Sequence, residues 1–475
     1  MSTAPAHPAA AAAASLPPWR RRLALLAVCL GTVVGPLDTT VNTAFPVITA
    51  AFALAPHAIQ WVVIAFVLTQ TSLTLVFGRL GDLFGHRRIF AIGLATCAVA
   101  HPAVGLAPDY PTLVAMRVLQ GLGVGLVVSC GAALATLAYP PDQKQRVLAL
   151  YVASTSLAMA VGPWLGGVLI AAFDWPAVFL FRSPLALLVW LALPWVLPAP
   201  AGPPGAGRAA AAPAFDWVGA VGLSAVLCAV VLGLAELARP AGRVGVGLAG
   251  LVAGLLGAVL WVRHALRTPH PVLRLAPFRS RLFSGVQLAS VALSLATFAN
   301  LLLLPYVLMR GPQALAIGAA GLLLALYPCG AVLGSLLAGR LGARTGAIPL
   351  MVWGMGGSAI GLLATALLLV PAPQLLAGLP PAALGAGMLV CGLGQGLFLV
   401  GYMDTTTSLL PAHERGVAGS LVSVTRLLGV ALGAVGIGWF DAWGGSTALS
   451  FAVLGGALAV LALRWGWLWR RMGAR

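Results

Sequence analysis

An all-α protein that crosses a membrane many times is the fold class this sequence predicts, and three observations predict it. Of its 475 residues, 60% are hydrophobic and only 8% are charged, which is more apolar side chain than a soluble core can bury. The apolar residues come in long runs, each sufficient to span a hydrocarbon core of about 30 Å at about 1.5 Å per residue. The cations gather in the short segments between those runs. A formal charge of +17 would suggest nucleic acid in a soluble protein, but cations confined to loops between apolar runs point to a membrane instead.

Taken in order, the runs give fourteen spans. Arg20, Arg21 and Arg22 anchor the first, over residues 23–46; the next five follow at 59–77, 89–106, 111–139, 147–173 and 177–197. Residues 199–213 form a Pro/Gly/Ala linker with no hydrophobic periodicity. Spans 7 and 8, over 217–237 and 244–261, make a short hairpin, and 263–281 is a basic connector. The last six lie at 282–308, 314–337, 347–370, 381–403, 416–440 and 447–463. The expected domains are a disordered cytoplasmic tail (1–22), a six-helix bundle (23–197), the linker with two inserted helices and connector (198–281), a second six-helix bundle (282–463) and a cytoplasmic tail (464–475). With this layout roughly 21 of the 27 basic residues face one side, about 3 (Arg239, Arg243, Arg310) the other, and the remainder lie within helices, which puts both termini in the cytoplasm.

The six cysteines all fall inside apolar runs without paired spacing, so neither a disulfide framework nor a metal site is expected. Trp261, Trp465, Trp467 and Trp469 fit an interfacial aromatic belt. There is no Walker-type phosphate loop, zinc-ligand helix or nucleophile elbow. An ATP-driven pump or a membrane hydrolase therefore lacks its chemistry; the chain is not expected to be an enzyme or to need a cofactor.

The segment 78–90, GRLGDLFGHRRIF, packs glycines, a carboxylate and cations between two apolar runs. It is expected to be a cytoplasmic hinge loop: Gly78 and Gly85 permit tight turns, and Asp82 can cap a helix or pair with Arg79, Arg87 or Arg88. Gly339, Arg340, Leu341 and Gly346 repeat the order and spacing of Gly78, Arg79, Leu80 and Gly85, with Ala343 in place of Asp82. Duplicated halves around a central site are an architecture of alternating-access transporters. The match at Gly78, Leu80, Asp82, Gly85, Arg87 and Arg88 resembles the signature loop of the major facilitator superfamily.

Further motifs narrow the resemblance. Residues 37–46, LDTTVNTAFP, closely resemble the first-span motif of the fourteen-span drug:proton antiporter family. Arg117, Gln120 and Gly121 match its fourth-span motif, and Gly162, Pro163, Gly166 and Gly167 match the fifth-span pattern associated with antiporters. Pro411, Glu414, Arg415, Gly416 and the stretch through Arg426 and Gly433 match around span 13. Arg182 departs from the pattern, standing where the family commonly has Asn, and like Arg426 it is an intramembrane cation with no partner evident in the sequence. The resemblance implies a major facilitator fold, two six-helix bundles plus two inserted helices, in the plasma membrane. It also implies export of small hydrophobic or amphipathic compounds such as drugs in exchange for protons; the expected partners are that cargo, protons and membrane lipid, with no nucleic acid, and the expected state is a monomer.

Asp38 is an acid inside a membrane helix, which costs roughly 2.5–3.5 kcal/mol at mid-bilayer on insertion scales and calls for a partner, a proton or a wet cavity. Two roles are open to it: coupling or cation recognition, as the resemblance implies, or a structural carboxylate bonding nearby threonines and backbone. Counted along the helices, Asp38 lies about 24 Å above the inner interface and Arg117 about 10 Å below the outer one, a difference of only about 4 Å in a core of about 30 Å. We expect the two to communicate, directly or through water, as the proton-coupling pair. Arg117 could alternatively tie helices through backbone hydrogen bonds. Asn42, Gln120 and Arg426 are candidate cavity residues. Asp404 and Glu236 sit near span ends, where solvation explains them. A major facilitator carrier for a specific metabolite, working by symport or facilitated diffusion, is the alternative to drug export.

Overall fold

The computed structural model describes residues 17–137, 139, 143–197, 216–237, 243–269, 271–273, 275–310, 314–369, 382–409, 424–426, 428–430, 432–433, 436 and 446–473. Every regular element among them is helical. The first span is not one helix: α1 (Pro18–Val33) gives way to a 3-10 turn (Pro36–Thr39) before α2 (Thr40–Ala51) resumes. Pro36 has no N–H to donate back to Thr32 O, and Gly35 N–H takes that carbonyl instead at 3.2 Å, where the ladder passes into the 3-10 turn. Then come α3 (Gln60–Phe84), α4 (His86–Gly105), α5 (Tyr110–Leu137), α6 (Lys144–Phe173), a single turn α7 (Ala177–Leu180) and α8 (Arg182–Val196). The hairpin is α9 (Trp217–Leu237) and α10 (Val244–Arg267). After it run α11 (Arg281–Arg310), α12 (Ile317–Thr345), α13 (Ala347–Leu369), α14 (Ala382–Leu409) and α15 (Thr447–Gly473).

Twelve described helical stretches, one of them taking α1, the 3-10 turn and α2 together and another α7 with α8, are long and apolar enough to cross a membrane, against the fourteen crossings read from the sequence. Two expected spans are not among the twelve. α3 contributes a described apolar stretch of only Gln60–Thr74, and 416–440 lies largely outside the described residues. Helices also run past the apolar stretches: α1 begins at Pro18, taking in the arginines assigned to the tail, and α15 continues to Gly473. Proline at the first helical position suits α1, because its missing N–H would be unsatisfied there anyway. Residues 1–16 lie outside the described ones.

The hinge loop expected over 78–90 shrinks to one residue. Gly78 to Phe84 complete α3 and His86 opens α4, leaving only Gly85 non-helical, at φ +92°. Left-handed backbone of this kind is open to glycine and strained for other residues, so a single glycine can redirect the chain. Gly346 does the same between α12 and α13, at φ +85°. The repeat legible in the sequence therefore has a backbone counterpart in both copies.

The chain divides into two compact units. The first comprises residues 1–39, 61–162 and 173–221; the second comprises 40–60, 163–172 and 222–475. In the first, α4 packs along α5 and α8, and α1 lies against α5 and α8. Its core is built from Phe90, Leu94, Val124, Val127, Ala186 and Val189. In the second, α14 packs between α12 and α13, α15 lies on α13, and α2 lies on α11. Met355, Leu362, Met388, Phe398 and Phe451 fill that core.

The hairpin helix α10 has only 17% of its most apolar window buried. Leu255, Leu256 and Leu260 stand exposed on it, a surface stable in lipid and costly in water.

Candidate functional site: a buried carboxylate held by two arginines

The site lies wholly within the first unit and starts from a backbone irregularity. Asp38 sits on the 3-10 turn, its N–H bonded to Gly35 O at 2.9 Å. Thr39 closes the same turn, with Oγ1 donating to Pro36 O at 3.1 Å and to Met159 O of α6 at 3.3 Å. A 3-10 stretch inside a longer helix is a frequent hinge, and here it carries the acid.

Arg117 projects from the second turn of α5. Asp109, outside the span, caps that helix by accepting the Thr112 N–H at 2.8 Å, which holds its carboxyl below the usual range. Gly121, one turn beyond Arg117, lets α3 approach closely: a Cβ there would stand 2.7 Å from Phe66 O. That approach brings Val62 O within 2.7 Å of Arg117 Nε.

The guanidinium of Arg117 then grips Asp38 with both terminal nitrogens. Nη1 donates to Oδ1 at 2.6 Å and Nη2 to Oδ2 at 2.8 Å, a two-point carboxylate fork. Gln120 joins it, accepting from Arg117 Nη1 at 2.8 Å and donating to Asp38 Oδ1 at 3.3 Å. Phe66 lies 4.3 Å and Phe179 5.8 Å from the Arg117 guanidinium, ring faces that favour a cation.

Sequence reasoning found no partner for Arg182; the structure supplies one. Arg182 opens α8 just after Phe181 breaks it from α7, and its Nη1 donates to Asp38 Oδ1 at 2.8 Å. Both arginines are fully buried, whereas the Asp38 side chain keeps 15% of its surface exposed. A desolvated Arg182 demands an anion, and Asp38 is the acid placed far from any span end. That pairing was the available signal.

The other expected site residues fall elsewhere. Gly78 is half-buried on α3, Arg79 and Arg87 are half-buried and Arg88 is exposed; the Asp82 side chain lies outside those described. Gly162 and Pro163 fall where the chain passes from the first unit to the second, and α6 is assigned without a break across Pro163. Within the second unit Pro163 O accepts from Thr43 Oγ1 at 3.0 Å. A Cβ on Gly166 would meet Thr40 O at 2.5 Å and one on Gly167 would meet Ile317 O at 2.8 Å, so this pair of glycines seats α6 on α2 and α12. Asn42 is half-buried on α2 and Arg426 is exposed; both belong to the second unit, whereas Gln120 joins the Asp38 cluster. Among the described residues no group of three or more metal-binding side chains occurs.

Comparison with known proteins agrees with this architecture. A family profile described as Major Facilitator Superfamily matches residues 27–315 and 286–474. The chain is 31% identical over 433 residues to the puromycin resistance protein pur8 of Streptomyces alboniger, covering 90% of this chain and 83% of that one. It is 26% identical over 413 residues to the riboflavin transporter RibZ of Clostridioides difficile (strain 630), covering 86% of each. Among solved structures, the peptide transporter POT in complex with sulfate superposes with a TM-score of 0.71 over 97% of this chain and 98% of that one, at 20% identity, a likeness of fold. With nearly its whole length matched and its helices arranged as described, this multi-pass membrane chain belongs to the major facilitator superfamily.

Proposed function

We infer that this transporter exports small hydrophobic or amphipathic compounds in exchange for protons, by alternating access of two six-helix bundles. It would act as a monomer in the cell membrane with both termini in the cytoplasm. The observation that carries the reading is the Asp38 carboxylate bound by Arg117 and Arg182 inside the membrane. A carboxylate there is neutralised either by guanidiniums or by a proton, and the two exclude each other at the same oxygens. Moving the 3-10 turn away from α5 and α8 would exchange one for the other, and that exchange ties a proton to a conformation. Relatives such as the puromycin resistance protein support drugs as cargo, and the fifth-span glycine and proline motif supports export.

A second reading, a carrier for one metabolite, is favoured by the riboflavin transporter relative. The sign of the proton movement separates them. Purified protein in liposomes carrying a pH-sensitive dye should, on addition of cargo, move protons opposite to the cargo in the wild type and not at all in Asp38→Asn. Co-directional movement favours symport, and undiminished exchange in Asp38→Asn removes Asp38 from coupling. Sensitivity profiling of a pump-deficient host expressing each form would identify the compounds.

A further inference from the structure

The first unit buries three charges in one cluster, and they do not cancel. Asp38 supplies one negative charge, while Arg117 and Arg182 supply two positive ones behind fully shielded side chains. The two arginines are also engaged very differently. Arg117 uses every nitrogen: Nε on Val62 O, Nη1 on Asp38 and Gln120, Nη2 on Asp38. Arg182 uses Nη1 alone. Its Nε and Nη2 are buried and have no hydrogen-bond partner among the described residues.

His101 is a further buried polar side chain beside this cluster. It is fully buried on α4, its Nδ1 lies 2.5 Å from Cys97 O, and its Nε2 has no partner among the described residues. It lies within electrostatic reach of Arg182 and Asp38. Buried donors are nearly always satisfied and buried ions nearly always paired. A surplus positive charge with two unmet N–H groups on a planar guanidinium is the receiving half of an arginine–oxyanion pair.

The free edge of Arg182 is fully buried, so an anion reaches it only as the cluster opens. Asp38 is the one member of the charged cluster with exposed surface, and it rides on the 3-10 turn, while the arginines are fixed on α5 and α8. An incoming carboxylate can take the free edge of Arg182 as Asp38 yields its Nη1 and keeps both Arg117 contacts. The cluster then holds two negative and two positive charges. An organic cation, by contrast, meets a net positive site whose carboxylate already has two partners.

We propose that Arg182 receives a carboxylate of the transported compound, so that this carrier handles organic anions and disfavours organic cations. This rests on the transport reading above and assigns the charge class of its cargo.

The test is thermal melting of the purified full-length protein in detergent with salicylate, nitrate or tetraphenylphosphonium at matched ionic strength. The forms compared are the wild type, Arg182→Asn and Arg182→Lys. Salicylate should raise the wild-type midpoint saturably, nitrate should need at least about tenfold more, and tetraphenylphosphonium should have no effect. Arg182→Asn should weaken the salicylate response at least about tenfold (about 1.4 kcal/mol), and Arg182→Lys should keep part of it. Three results would overturn the proposal: an equal salicylate response in Arg182→Asn, a wild type that answers tetraphenylphosphonium and not salicylate, or one that answers neither. Nitrate acting as well as salicylate would also overturn it, marking a resident inorganic counter-ion and not a cargo site. Arg182→Asn leaves an intact Asp38–Arg117 pair and is expected to fold; should it aggregate, the wild-type preference between carboxylate and cation decides alone. Drug export in cells without carboxylate binding would sink this inference and spare the export reading, whereas carboxylate binding without export would do the reverse.

Discussion

Arg117 and Arg182, on helices far apart in the chain, place donors on the same oxygen, Oδ1 of Asp38, at 2.6 and 2.8 Å. Removing the acid therefore strands two buried cations, whereas removing Arg182 leaves a balanced pair. Breaking a buried pair typically costs about 3–5 kcal/mol. Asp38→Asn should melt well below the wild type, Arg182→Asn should lose less, and Asp38→Asn with Arg182→Asn should be more stable than Asp38→Asn alone. Melting of the four proteins in one detergent checks the order.

Gly85 and Gly346 are expected to behave alike and unlike Gly78. A Cβ meets nothing within 4 Å at any of the three, but Gly85 and Gly346 have positive φ. Gly85→Ala and Gly346→Ala should each destabilise by about 1–2 kcal/mol through backbone strain alone. Gly78→Ala, inside α3, should be neutral or stabilising by about 0.5–1 kcal/mol. The same melting assay separates these signs.

Gly166 and Gly167 should tolerate no side chain. Gly166→Ala sets a methyl 2.5 Å from Thr40 O and Gly167→Ala sets one 2.8 Å from Ile317 O; each should cost about 1–3 kcal/mol and lower export in a drug-sensitivity assay. Gly318→Ala, on α12 with open space around it, should leave both readouts near the wild type.

The orientation read from the arginines can be tested by labelling intact cells with a membrane-impermeant maleimide, on a background lacking the six native cysteines. Arg243→Cys should be labelled from outside, and Arg267→Cys, at the other end of α10, only after the cells are opened. The reverse pattern would invert the topology.

Much of this is legible in the amino-acid order, for a physical reason. Helical rise converts residue number into depth, so counting along the spans is enough to put Asp38 and Arg117 at nearly one level. Depth says nothing about which way a side chain faces. Arg182 therefore reads as a cation without a partner, although it shares the carboxylate. The interruption of the first span is also written, at Gly35 and Pro36, but a long apolar run hides a break that hydropathy does not register. The glycine segment is recognisable, yet it reads as thirteen residues of hinge where one left-handed residue suffices. Crossings are harder to count than to locate: 416–440 lies largely outside the described residues, and α3 has its Arg79 and Asp82 close behind the apolar stretch.

The short turn beneath Asp38 decides which partner travels when the ion pair parts. Arg117 sits two turns inside α5 and Arg182 opens α8, both on α-helical backbone, while the carboxylate hangs from four residues outside the α-helical ladder. The acid is the shuttle and the arginines are the fixed docks, so stiffening that turn should freeze the cycle even with every charge left in place.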